Sequence, residues 1–154
     1  MTGRSSLIQQ VRMALRSMGA DLGRLNDVVG SHVDLKGVEV EILDHIGRIG
    51  PVSPGQLAET MHIHPATMTG ILDRLEEGGW VTRERAPDDR RRVNLKVLRS
   101  RGPELVKLYT PMNESVSRIC ADLSEEQLKT VVDFLESVSA AATDASNHLK
   151  TQDV

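Results

Sequence analysis

The feature that most constrains the fold is a pair of short helices separated by a two-residue joint. The first helix begins at Ser53 in SPGQLAETM, where Gln56 follows three residues later as in a capping box. The second begins at Pro65 in HPATMTGILDRLEEGG and ends at Gly78, because proline favours the first turn of a helix and glycine its end. Two helices joined this tightly form a helix-turn-helix, whose second helix enters the major groove of DNA.

The second helix is predicted to have an apolar face and a polar face, with small polar residues near its N-terminus. Its apolar residues recur at helical spacing and predict a buried face of Met68, Ile71, Leu72 and Leu75. The residues left outward are Thr67, Thr69, Gly70, Asp73, Arg74 and Glu77. This outward face is the surface expected to lie against DNA.

A β-hairpin is predicted to follow. The β-prone runs WVTRER and VNLKVL flank the loop APDDRRR, in which Pro87 favours a turn. A helix-turn-helix followed by a hairpin is a winged helix, with DDRRR at the tip of the wing. Such arginines could reach phosphates or the narrow minor groove, where the negative potential is strongest. The adjacent carboxylates would restrain them, although a merely solvated hairpin turn is the alternative.

The charge distribution supports a nucleic-acid partner more than the net charge does. The chain carries a net charge of −3, yet between Arg83 and Arg101 eight basic residues stand against three acidic ones. Phosphate is the commonest partner of such a local cluster. Aromatic residues make up only 2% of the chain, which argues against binding of single-stranded RNA by stacking.

Long amphipathic helices are predicted at both ends of the chain, where apolar residues recur from Leu7 to Val29 and from Leu105 to Val138. Their apolar stripes exceed what one small domain can cover, so a homodimer is expected. The predicted fold is mainly α with a small β-hairpin wing. Residues 1–34 would form an N-terminal helix of the dimerisation region, 35–99 the winged helix-turn-helix domain, and 100–154 the C-terminal helices of the dimerisation region.

The stretch from Ser53 to Val97 resembles the multiple antibiotic resistance regulator (MarR) family of bacterial transcription factors. QLAE, PATMTGILDRLEEGGWV and the Asp-x-Arg that begins at Asp89 occur in the family's order and spacing. The resemblance implies a homodimeric repressor that binds an inverted repeat, with half-sites about 10 base pairs apart. It also implies release by a small-molecule effector bound between the dimerisation region and the DNA-binding lobe.

Carried over residue by residue, the resemblance implies a set of DNA contacts. On the recognition helix they are His64, Pro65, Ala66, Thr67, Thr69 and Arg74, although Arg74 could instead have a structural partner. In the wing, Arg91 matches the family's arginine with Asp89 as its restraint, and a shift of one residue would exchange its role with Arg90 or Arg92. Trp80 is expected to be structural, and His32 and Tyr109 are candidate polar anchors for an effector.

Several positions depart from the family pattern. His64 stands where a serine-like helix cap is usual, and His62 where a turn glycine is common. Gly70 replaces a frequent base-contacting arginine, and VLRSRG, which ends at Gly102, replaces Leu-Thr-x-x-Gly. The operator sequence and the start of the following helix are therefore hard to predict.

Other functions have weaker support. A metal sensor could use His62, His64 and His45, but no cysteine or carboxylate cluster completes that set. His32, Asp34 and Glu39 are a second, weaker set, and no metal or cofactor is expected. Cys120 is interpreted as a small core residue, and the chain shows no enzyme motif, signal peptide or membrane span. A cytoplasmic location is expected. The alternatives that remain open are a protein–protein interaction module and a non-specific architectural DNA binder.

Overall fold

The computed structural model describes residues 3–89 and 91–152, which form helices and one two-stranded antiparallel sheet. The elements are α1 (Gly3–Ser31), α2 (Gly37–Ile49), α3 (Pro54–Thr60), α4 (Pro65–Glu77), β1 (Val81–Arg85), β2 (Val93–Val97), α5 (Gly102–Ala121) and α6 (Glu125–Gln152). The predicted fold class, mainly α with a β-hairpin wing, is confirmed.

The helix starts follow from local capping. The hydroxyl of Ser53 accepts a hydrogen bond from the Gln56 N–H at 3.2 Å, and the Gln56 side chain accepts one from the Ser53 N–H, also at 3.2 Å. His64 caps α4, because its Nδ1 accepts a hydrogen bond from the Ala66 N–H at 3.2 Å. These bonds satisfy backbone donors that a helix leaves without partners in its first turn.

The joint between α3 and α4 adopts an unusual backbone conformation. His62 has a φ of 58°, in the left-handed region that favours glycine. The turn is held by the Ile63 N–H, which donates to the Ala58 carbonyl at 2.9 Å. His62 therefore replaces glycine at a position whose backbone conformation favours glycine.

One apolar core holds the winged helix together. It combines residues from α2, α3, α4 and the hairpin, with Trp80, Ile42, Leu57, Leu72, Leu75 and Leu95 among its most buried side chains. The predicted apolar face of α4 is buried in this core. In the hairpin Val81 pairs with Val97 and Arg85 with Val93, and the Leu95 N–H also donates to the Val52 carbonyl at 2.8 Å. The recognition helix and the wing are thereby attached to a common base.

The junction of α1 and α2 requires a close backbone approach at Gly30. The Leu35 N–H donates to the Gly30 carbonyl at 2.9 Å. A Cβ atom at Gly30 would lie 2.4 Å from the Leu35 carbonyl oxygen, closer than real atoms approach. Glycine is therefore needed here for space and not for backbone flexibility.

The chain divides into two compact units, Met1–Tyr109 and Thr110–Val154. In the first unit α1 packs on α2, so α1 and the winged helix are in contact. In the second unit Cys120 is half-buried, which differs from the buried core position that the sequence predicts. No helix in the described part of the chain is both long and apolar enough to cross a membrane.

Replacement of Gly30 by alanine should lower the free energy of unfolding by about 1–3 kcal/mol, because the backbone of Leu35 must move to admit the methyl group. Gly47→Ala is the matched control, since Gly47 is exposed on α2 with no atom within 4 Å of its added Cβ. The control should stabilise the protein by about 0.5–1 kcal/mol. Urea unfolding at fixed protein concentration would show both effects. Equal stability of the two variants would contradict the close approach at Gly30.

Candidate nucleic-acid interface

The first two turns of α4 present only small side chains to solvent. Pro65, Ala66, Thr67, Thr69 and Gly70 are all exposed, as predicted for the face of a recognition helix. The hydroxyl of Thr69 donates a hydrogen bond to the carbonyl oxygen of Pro65 at 3.0 Å. An added Cβ at Gly70 would meet no atom within 4 Å, so the surface beside Thr69 is open. A base edge could therefore approach the helix backbone closely.

Arg83 links α4 to the wing. Its guanidinium lies 2.7 Å from Asp73 Oδ1 and also pairs with Glu76, while the Arg83 N–H donates to Glu76 Oε1 at 3.3 Å. Partial burial alone would lower the pKa of Arg83, but the hydrogen bonds and charges of the two carboxylates outweigh it and raise the pKa. One side chain of β1 thus holds two successive turns of the recognition helix.

Arg74 has a structural partner on α2. Its guanidinium pairs with Glu39, whose side chain is only 4% exposed and also accepts a hydrogen bond from the Lys36 N–H at 2.8 Å. Of the two roles predicted for Arg74, the structure shows the structural one, with Glu39 in place of a partner near Asp73. Half of the Arg74 side chain remains exposed. The pair fixes the second half of α4 against the start of α2.

Both carboxylates of the wing tip accept hydrogen bonds from arginines of the same loop. Asp88 accepts two hydrogen bonds from the Arg92 guanidinium, at 3.0 and 2.9 Å. Asp89 accepts one from the backbone N–H of Arg91 at 2.9 Å. Asp89 therefore restrains Arg91 through its backbone and not through its guanidinium, for which the described residues offer no side-chain partner. Arg90 lies outside the described residues.

Trp80 joins the end of α4 to the start of α5. It is 2% exposed, which confirms its structural role, and the Arg101 guanidinium lies 3.8 Å from its ring centroid. Arg101 also donates to the Gly78 carbonyl at 2.8 Å and pairs with Glu104. Arg101 thus satisfies a carbonyl at the end of the recognition helix.

A cavity of about 590 Å³ lies beside the Glu39–Arg74 pair. It is lined by Ser31, Val33, Asp34, Leu35, Lys36, Glu39, Arg74, Glu77, Gly78, Trp80 and Arg101. Its walls are thus the α1–α2 junction, the end of the recognition helix and the Trp80–Arg101 contact. A ligand in this cavity would touch elements that determine where α4 lies.

The two predicted effector anchors, His32 and Tyr109, do not line this cavity. Nδ1 of His32 lies 2.8 Å from the Val28 carbonyl oxygen, and the Tyr109 hydroxyl donates to Asn26. Burial, followed by the charges of nearby carboxylates, raises the pKa of Tyr109. Both side chains are therefore engaged within the fold. Among residues 3–89 and 91–152, no three His, Cys, Asp or Glu side chains are grouped so that they could hold a metal ion.

The sequence reasoning missed four charged residues that orient α4, namely Glu39, Glu76, Arg83 and Arg101. Glu76 and Arg83 were visible as opposite charges near the helix end and the first strand. For Glu39 the sequence suggests only a metal-ligand role, because its partner Arg74 is 35 positions away. Their pairing depends on how the helices pack, which local periodicity does not reveal.

Comparison with known proteins gives consistent matches. Residues 35–93 match the MarR family. The uncharacterised HTH-type transcriptional regulator YcgE of Bacillus subtilis is 26% identical over 147 residues, which are 96% of each chain. The HTH-type transcriptional regulator PecS of Dickeya dadantii is 31% identical over 109 residues, 69% of this chain and 66% of PecS.

A solved structure agrees with these relatives. The transcriptional regulator Tm0710 from Thermotoga maritima aligns with a TM-score of 0.63 and 26% identity, over 86% of this chain and 94% of that one. The matched proteins are transcriptional regulators and not enzymes.

Proposed function

The chain belongs to the MarR family of DNA-binding transcriptional regulators, and on that premise we propose that it is a homodimeric repressor of an inverted-repeat operator. The observation that carries the proposal is the exposed face of small side chains at the start of α4, on a helix that Arg83 connects to the arginine-bearing wing. Small side chains at the start of α4 suit close approach to base edges, and the guanidinium of Arg91 has no protein partner among the described residues. The two wings would contact the minor grooves that flank the half-sites. The protein would act in the cytoplasm.

Apolar side chains that remain exposed on the long helices support the homodimer. The most exposed of them are Leu7 and Met13 on α1, Val106 and Ile119 on α5, and Leu149 on α6, with Ile119 at 67%. Monomeric proteins seldom leave so many large apolar residues in water on successive helices. A second copy of the chain, related by a two-fold axis, would bury them and present two recognition helices about 10 base pairs apart.

We propose that an effector binds in the cavity beside Glu39 and Arg74. The cavity is partly open to solvent, and charged side chains from α2 and α4 line it beside Trp80. A ligand with a polar group that binds Glu39 or Arg74 would break the ion pair that joins α2 to α4. Such a ligand favours a form in which α4 no longer fits the operator, and DNA favours the other form, so the two exclude each other.

Selection of random duplex DNA on the purified protein should enrich an inverted repeat. Arg91→Ala should weaken binding to that operator and reduce the slope of log affinity against log salt by about 2 per dimer, one for each wing. Arg48→Ala is the control with the same charge change, because Arg48 lies exposed on α2 and pairs with Asp44. The control should leave the affinity nearly unchanged.

Two results of this selection would contradict the proposal. Enrichment of no sequence, with affinity that falls steeply in salt, would indicate an architectural DNA binder. No binding to DNA at all would indicate that the wing serves a protein partner.

Trp80 is the only tryptophan of the chain and lines the cavity, so its fluorescence should report occupancy. A compound that releases the operator should change Trp80 emission with the same apparent Kd. Glu39→Gln should shift that Kd because it removes a charge from the cavity wall. Glu41→Gln, on the same helix but outside the cavity, should not. Release of DNA by a compound that leaves Trp80 emission unchanged would overturn the proposed effector site.

A further inference from the structure

We infer that Thr69 reads a thymine methyl group in each half-site of the operator. The inference rests on the proposed function and names the chemistry by which α4 would select its sequence. Its basis is the set of side chains that α4 can and cannot direct at base edges.

The residues that usually read bases by paired hydrogen bonds are nearly absent from α4. Arginine, lysine, asparagine and glutamine make such contacts with guanine and adenine. Between Pro65 and Glu77 the helix contains one of these residues, Arg74, and its guanidinium is paired with the buried carboxylate of Glu39. Paired hydrogen bonds from α4 therefore contribute little to the choice of sequence.

The acidic residues of α4 are also largely engaged. A carboxylate can accept a hydrogen bond from cytosine N4, but Asp73 and Glu76 both pair with Arg83. Glu77 lies in the last turn and lines the cavity. Selection of cytosine by these carboxylates would require breaking the contact between α4 and the wing.

What remains is the exposed surface of Pro65, Ala66, Thr67, Thr69 and Gly70, and within it Thr69 is the threonine next to the open space at Gly70. The Thr69 hydroxyl is bound to the Pro65 carbonyl at 3.0 Å, so its γ-methyl is the group left for a base edge. Gly70 leaves open space next to it, since an added Cβ there would meet nothing within 4 Å. In the major groove the C5-methyl of thymine is the apolar group that distinguishes one base from another. Thr69 and the space above Gly70 therefore fit a thymine.

The test replaces thymidine by deoxyuridine in the selected operator, one base pair at a time. Deoxyuridine removes the methyl group and leaves the hydrogen-bonding edge unchanged. At one position of a half-site, deoxyuridine should weaken binding of the protein about fourfold, the effect of leaving one methyl-sized group exposed. Deoxyuridine at that position in both half-sites should weaken binding about fifteenfold. Deoxyuridine in the outer segments should have no effect, because the wings would contact the minor groove there.

Two variants of Thr69 assign the effect to this residue. Thr69→Val keeps a methyl group at that point and should remain sensitive to deoxyuridine. Thr69→Ser keeps the hydroxyl, loses the methyl, and should bind the thymidine operator as weakly as the wild type binds the deoxyuridine operator. Unchanged thermal unfolding of both variants would show that the fold is retained.

The outcomes separate this inference from the function on which it rests. An inverted repeat that tolerates deoxyuridine throughout both half-sites would overturn the inference alone. The same holds if Thr69→Ser stays fully sensitive to deoxyuridine. Recovery of no inverted repeat would overturn the proposed function, and the inference with it.

Discussion

The bridge from Arg83 to Asp73 and Glu76 is the interaction on which the arrangement of the DNA-binding surface depends. The apolar face of α4 packs into the core and fixes the depth of the helix. Arg83 ties two turns of α4 to β1, and Arg74 ties the same half of the helix to Glu39 on α2. The second half of α4 is thus occupied with contacts inside the protein. Its first half, capped by His64, makes no such ion pair and its small side chains are exposed.

The difference between paired and unpaired charges is consistent with DNA binding by a chain whose net charge is negative. Part of the positive charge between Arg83 and Arg101 is neutralised by ion pairs within the protein, because Arg83, Arg92 and Arg101 each pair with a carboxylate. Those pairs order the wing and the end of α4 and do not attract phosphate. Arg91 differs, since its backbone is held by Asp89 while its guanidinium has no side-chain partner among the described residues. Arg91 therefore leaves its charge available at the wing tip.

Much of the fold could be predicted from the sequence because its signals are local. The capping of α3 by Ser53, the start of α4 at Pro65 and the buried face of α4 each depend on residues within one or two turns. The group that Asp89 binds could not be predicted in the same way. A carboxylate two residues before an arginine can accept a hydrogen bond from either the backbone or the side chain of that arginine. The Glu39–Arg74 pair and the cavity beside it depend on the packing of α2 against α4. No pattern within either helix reveals that packing.

The most direct measurement asks whether α4 and the wing read DNA as one unit held by Arg83. Operator affinity would be measured for Arg83→Met, Arg91→Ala and the double variant, with Arg85→Met, exposed on the same strand, as the control. The account predicts that Arg83→Met weakens binding more than Arg85→Met does, and that Arg91→Ala matters much less once Arg83 is gone, because the wing is then no longer positioned. Additive losses, or equal effects of the two methionine variants, would show that the wing and the recognition helix bind DNA independently.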